Sequence, residues 1–195
     1  LKVGFENITN YTFLSMRNTL KDSTRVGSIL PSDYTRSVAV RQAGGSVQVF
    51  SATLAQDLKF GPVHWDNEVT YQQSSDQISL PLPKVSLYTN LYFLFPIAKV
   101  LRVQMGGDMR YFTSYYAPDY STSVGQFAVQ DEQNARIKVG NYPIVNVYIN
   151  LHLKNCRLYV AMNHVNQGTG RAFWAPHYPI NPRTFHFGLS WNFFN

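Results

Sequence analysis

Residues 184–195 read T-F-H-F-G-L-S-W-N-F-F-N. Phe185, Phe187, Leu189, Trp191 and Phe193 fall on alternate positions, with Thr184, His186, Gly188, Ser190 and Asn192 between them. A strand's period of two puts each set on its own face, so the stretch is a ribbon with one apolar, largely aromatic side and one polar side. Soluble domains usually fray at a chain end. Here the aromatic side runs on to the end, which suits a strand whose apolar side meets lipid, whose aromatics meet the interface and whose polar side faces a lumen.

The same two-faced pattern recurs upstream. Val63, Trp65, Val69 and Tyr71 alternate with His64, Asp66, Glu68, Thr70 and Gln72; Val85, Leu87, Leu91, Phe93 and Phe95 alternate with Ser86, Tyr88, Asn90 and Tyr92, and Pro96 is expected to close that strand. Leu101, Val103, Met105, Met109 and Tyr111 back onto Arg102, Gln104, Gly106, Asp108 and Arg110. Val145, Val147, Ile149, Leu151 and Leu153 alternate with Asn146, Tyr148, Asn150, His152 and Lys154, and Leu158, Val160 and Met162 follow a turn at 154–157. Charged and amide side chains gathered on one face, as at Arg102, Gln104, Asp108 and Arg110, cannot pack in a dry core. Val3, Phe5, Tyr11 and Phe13 share one parity and predict a first strand. Another is expected over 46–58, with a bulge where the apolar set changes parity between Val49 and Phe50.

The connections alternate in length. Long ones at 17–45, 75–84, 114–141 and 168–183 oppose tight turns at 59–62, 95–98 and 154–157, the long-outside, short-inside pattern of outer-membrane barrels. The first long connection holds Pro31 and a short hairpin at 37–42 before Gly44-Gly45. The prediction is an all-β protein, an antiparallel transmembrane β-barrel of about eight strands, closed by itself or part of a larger barrel. It forms a single domain over residues 1–195, or the C-terminal part of one.

Composition agrees. Charged residues make up 14% of the 195, aromatics 15% and hydrophobic residues 45%, against about 25% charge in an ordinary soluble domain. No 3.6-residue period and no apolar run of ~18 residues predicts a spanning helix. The net charge is +6, but Arg17, Lys21, Arg25, Arg36, Arg157, Arg171 and Arg183 are scattered through expected loops and turns without a basic stripe, so no nucleic-acid partner is expected. One cysteine, Cys156, allows no internal disulfide. Leu1–Phe5 lacks the basic and apolar regions of a signal peptide, which an exported protein would have lost. The chain starts as if in mid-strand, which reads as the tail of a longer polypeptide.

Several stretches carry a resemblance: V-H-W-D-N-E-V-T-Y-Q (63–72), L-P-L-P-K-V-S-L-Y-T-N-L-Y (80–92), G-G-D-M-R-Y-F-T-S-Y-Y-A-P (106–118), H-V-N-Q-G (164–168) and H-Y-P-I-N-P-R-T-F (177–185) with the G-L-S-W-N-F ending. In this order and over nearly the whole chain they resemble the C-terminal portion of the Bacteroidota-type putative porins. The resemblance implies a Gram-negative outer-membrane β-barrel of a longer family, and it assigns no solute to named residues.

The parity of the strands names the candidate residues. Asp66, Glu68, Arg102, Gln104, Asp108, Arg110, Asn146, Asn150, His152 and Lys154 are expected to line a pore, and Leu101, Val103, Val147, Ile149, Phe187 and Trp191 to face lipid. Two readings of the charged set stay open: rings that select solutes by charge, or cross-strand pairs that plug the bore. His64 with Asp66 supplies only two ligands where zinc needs at least three protein groups. His164, His177 and His186 lack ligand spacing and read as satisfied polar residues, and no nucleophile elbow accompanies any serine. No metal, cofactor or enzymatic activity is expected. Tyr111, Tyr115, Tyr116, Phe173, Trp174 and Tyr178 read as girdle anchors or, in the loops, as stacking surfaces. The expected function is a porin-like channel for passive diffusion of small solutes, in contact with outer-membrane lipid and with outer-membrane partner proteins or further copies of itself. The alternatives are a non-conducting barrel that anchors a complex and a soluble lipocalin-like ligand carrier.

Overall fold

Alternating apolar and polar residues, rich in β-branched and aromatic side chains, favour a pleated surface over a helix. The computed structural model describes residues 1–20, 34–131, 136–170 and 172–193. Its strands are β1 (Lys2–Ile8), β2 (Thr12–Leu20), β3 (Tyr34–Gln42), β4 (Val47–Phe60), β5 (Val63–Ser74), β6 (Val85–Ile97), β7 (Leu101–Phe112), β8 (Asp119–Ser121), β9 (Gln126–Gln130), β10 (Ile144–Leu153), β11 (Cys156–Asn163), β12 (Phe173–Ala175), β13 (Tyr178–Pro179) and β14 (Thr184–Trp191). No helix occurs among the described residues.

An eight-stranded antiparallel sheet, ordered β1-β4-β5-β6-β7-β10-β11-β14, forms the wall. The antiparallel all-β expectation is met, but the sheet is open. β1 and β14 are its edges, and no pairing joins them among the described residues. β4 to β7 and β10, at 10 to 14 residues each, reach the length a tilted strand needs to cross a bilayer, about 9–11 residues.

Four local expectations change. The expected first strand is two, because Asn10 takes a left-handed backbone (φ 57°) that turns β1 into β2, a conformation Asn tolerates better than most residues. The hairpin at 37–42 is longer, with all of β3 paired to β2 from Thr12↔Gln42 to Leu20↔Tyr34. No bulge interrupts β4, which pairs with β5 without a shift from Val49↔Ser74 to Phe60↔Val63. Val47 and Val49 lie on the polar face, and Val47, at 1% exposure, is covered at the long-connection end. Pro96 does not end β6, which continues to Ile97. Pro96 sits opposite Arg102 one residue from the strand's end, where a lost ladder bond is cheap, and the turn falls at 98–100 with positive φ at Ala98 and Lys99. Lys21, Arg25, Pro31 and Arg171 lie outside the described residues.

The register keeps each face of the wall uniform. One face gathers Phe50, Leu54, Phe60, Trp65, Val69, Leu91, Phe93, Met105, Val147, Ile149, Phe185, Phe187 and Leu189, all exposed, Phe187 at 72% and Leu54 at 53%. An apolar surface this continuous is unusual on a soluble monomer. A polar seam crosses it at Gln56, Asn67 and Thr89. The Trp65 indole N–H donates to the Thr89 hydroxyl at 2.9 Å, and that hydroxyl donates to the Asn67 amide oxygen at 2.7 Å, so both groups are satisfied without water.

Most buried side chains are not in the wall. Met16, Ala117, Ala128, Val139, Tyr142 and Ala175 are buried where the long connections gather, so the dry core is a cap over one end of the sheet. Within the wall, β6 and β7 approach closely at Gly106, where a Cβ would collide with the Leu91 carbonyl oxygen and the Tyr92 Cα and Cβ. Gly106→Ala is therefore expected to cost about 1–3 kcal/mol by overpacking, measured as a shift of the unfolding midpoint. An unchanged midpoint would show that the two strands can part at no cost.

Candidate functional site

The opposite face of the wall is polar. Direct cross-strand neighbours form rows across it: Asp57–Asp66–Asn90–Asp108–Asn146, then Glu68–Tyr88–Arg110–Ile144 nearer the long connections, and Arg102–His152–Arg157 at the tight-turn end. Asp66, Glu68, Arg102, Gln104, Asp108, Arg110, Asn146, Asn150 and His152 all lie on this face. Lys154 does not, since β10 ends at Leu153 and Lys154 takes a positive φ of 45° in the turn. Leu101, Val103, Val147, Ile149, Phe187 and Trp191 share the other face. Val103 is only 4% exposed there, lying between its cross-strand neighbours Phe95 and Leu151.

The polar side chains are tied by hydrogen bonds rather than by ion pairs. Asn146 donates to Asp108 at 2.9 Å, the Tyr148 hydroxyl to Asn90 at 2.9 Å and Asn150 to Gln104 at 3.2 Å. The Arg110 guanidinium lies 5.6 Å from the centre of the Tyr88 ring, a cation–π contact. His64 stacks on Tyr92 at 4.8 Å. Among the described residues, ion pairs join Arg17 and Arg41 to Asp131 and His177 to Asp119, and none lies on this face. No group of three or more His, Cys, Asp or Glu side chains converges as a metal site among the described residues.

The long connections fold over one end of the polar face. The segment between β7 and β10 reaches back to β2, where β9 pairs in parallel through Ser15↔Val129 and Met16↔Gln130. Asp131 extends this join, its carboxylate 3.0 Å from Arg41 and 3.4 Å from Arg17. The Gln130 side chain donates to the carbonyls of Ala117 and Ile137 and accepts from the Ile137 N–H. The segment between β11 and β14 meets it through His177–Asp119 at 3.1 Å and the edge-on Tyr120–Tyr178 pair at 5.8 Å. Trp174 from this second segment borders two cavities. One, of about 350 Å³, is lined by Glu68, Tyr88, Arg110, Phe112 and Tyr115; the other, of about 380 Å³, by Arg110, Asn146, His164 and His186. Burial raises the Tyr115 phenol above its ordinary pKa, which keeps it neutral. Tyr116 lies under Arg136 at 4.0 Å and Lys138 at 5.0 Å.

His164, 4% exposed, fastens this cover. Its Nδ1 lies 2.7 Å from the Asn181 carbonyl and its Nε2 2.7 Å from the Tyr142 hydroxyl. Since a carbonyl only accepts, Nδ1 carries a proton. The sequence marks His164 as a satisfied polar residue but not as the link between two loops, because Tyr142 comes from the β7–β10 connection and Asn181 lies 17 residues further along the β11–β14 connection. Arg157 was also missed: it reads as part of a turn, although Arg157, Tyr159 and Asn163 keep the polar parity of β11. Asp76 orders the β5–β6 connection. Its Oδ1 accepts from the N–H groups of Ile78 at 2.9 Å and Ser79 at 3.1 Å. Partial burial by itself would raise the Asp76 pKa, but hydrogen bonds from Ser79 and Ile78 outweigh it and set it below 3.8. A carboxylate with a depressed pKa contributes stability that is present above its unfolded value and lost as pH falls through the folded one. Amide exchange at Ile78 and Ser79, corrected for the intrinsic rate, should therefore stay slow at pH 5 and accelerate only below 3.8. Acceleration already at pH 5 would remove Asp76 as the cause.

The class is thus an all-β protein built on an antiparallel, two-faced sheet, with short turns at one end and a loop-built cap at the other. A family model described as "Putative porin" matches residues 1–195, and the chain belongs to that family. No curated protein and no solved structure matches it.

Proposed function

We propose that the chain forms the wall of an outer-membrane β-barrel that lets small solutes diffuse passively, without a cofactor or catalytic group. The observation that carries this reading is the division of the wall: one face is apolar and exposed, whereas the opposite face gathers the charged and amide side chains and is covered by the loops at one end. Hydrocarbon suits the first face and a watery lumen the second. A lipocalin-like carrier would need the opposite arrangement, with Ile149 and Phe187 inside. The edges β1 and β14 expose backbone groups that lipid cannot satisfy, so in the membrane each pairs with a further strand, from this polypeptide or another.

Planar-bilayer recording on the purified full-length protein tests the channel. Stepwise conductance is the expected result, and a silent bilayer with folded, inserted protein would sink it. The second reading, a non-conducting anchor, draws on the cap, since Trp174 and the His164 link narrow one end of the polar face.

A further inference from the structure

The row Arg102–His152–Arg157 is an electrostatic anomaly. His152 is the direct cross-strand neighbour of both arginines, so Arg102 and Arg157 stand two strand spacings apart, about 9.4–9.8 Å, on one face, where like charges repel. Among the described residues, β6, β10, β11 and β14 carry no acid. The row is flanked by Pro96 on β6 and Ser190 on β14, and the next row, Leu94–Gln104–Asn150–Tyr159–Gly188, carries no charge. The nearest acid on β7, Asp108, stands six residues away, about 20 Å along a strand and beyond the screening length of about 8 Å. Turn residues Lys99 and Lys154 add positive charge at the same end. Arg102, His152, Arg157, Gln104 and Asn150 line one cavity of about 290 Å³. Guanidinium forks and amide donors around an acid-free cavity match a small oxyanion, which two arginines can grip through charge-assisted hydrogen bonds.

We propose that this cavity is a binding site for a phosphate-like oxyanion, held by Arg102 and Arg157 with His152, Gln104 and Asn150 around it. Occupancy relieves the repulsion within the row, which is why the row can persist uncompensated. The proposal rests on the polar face being a lumen, and it gives that lumen a discrete station for anions at its tight-turn end.

Isothermal titration of the full-length protein in neutral detergent, with sodium phosphate against sodium chloride at matched ionic strength, is the test. Saturable heat with phosphate alone is expected, weakened about a hundredfold or more by R102Q/R157Q, which removes the charge-assisted hydrogen bonds of both guanidinium groups. The K2Q/K84Q variant, which removes the same net charge elsewhere, should bind as the parent does. If R102Q/R157Q loses its strand spectrum, R102K/R157K replaces it: charge is kept and the forks are lost, and binding should still weaken. Chloride heat equal to phosphate heat, equal loss in K2Q/K84Q, or unweakened binding in the arginine variants would overturn the proposal. So would binding of micelles doped with anionic phospholipid in place of dissolved phosphate. Bilayer recording on the same preparation separates the two conclusions: phosphate binding without conductance removes the channel and leaves the site, and conductance without phosphate binding does the reverse.

Discussion

Ile149→Arg will destabilise the inserted protein by about 2–4 kcal/mol, the cost of a cation on the lipid face near mid-membrane, whereas Asn150→Arg will cost about 1 kcal/mol, from the lost hydrogen bond to Gln104 and the cation added near Arg102 and Arg157. The two positions are consecutive on β10 and differ only in the face they occupy. Ile149 lies between Met105 and Val160 on the exposed apolar side, and Asn150 between Gln104 and Tyr159 on the polar side. Strand position and the incoming side chain are the same, and the difference in β-propensity between Ile and Asn is at most about 1 kcal/mol, so a larger contrast reports the surroundings of each side chain. Urea-dependent refolding into lipid vesicles measures it. Equal costs at the two sites would mean that both faces meet the same medium, and the membrane assignment would fall.

His164→Ala will release the cap while leaving the wall intact. The substitution removes a buried side chain and its bonds to the Tyr142 hydroxyl and the Asn181 carbonyl; Tyr142 keeps its bond to the Asn166 carbonyl and Asn181 is open to water, so the cost is the two bonds themselves, about 0.5–1.5 kcal/mol each. The loss is local to the loops, because the ladder from β1 to β14 does not pass through His164. Limited proteolysis should cut faster within 164–183, the strand signal in circular dichroism should stay, and the mean conductance step should rise as the cover over Arg110 loosens. Unchanged cleavage would show that the Asp119–His177 and Tyr120–Tyr178 contacts hold the loops by themselves.

The wall was legible in the sequence because strand parity is a local signal: Leu101 to Tyr111 and Val145 to Leu153 declare both faces within one segment. The cap was not. β8 and β9 are short, and β9 finds its partner at Ser15 and Met16, a pairing that no local pattern announces. Parity also misled where a side chain answers to a loop rather than to the medium beside the wall, as with Val47, whose burial lies under the long connections. Proline gave too strong a stop at Pro96, since near a strand end the missing N–H removes little. Open edges were beyond reach as well, because nothing in β1 or β14 alone says which strand lies beside it.

The parallel join of β2 to β9 has a consequence for assembly. Its partners are far apart along the chain, so forming it closes a long loop whose entropy is repaid by only a short register. The hairpin neighbours β4–β5, β6–β7 and β10–β11 close short loops and have no such delay. The β2–β9 join should therefore form last, leaving a late intermediate with a finished wall and a loosely held cap.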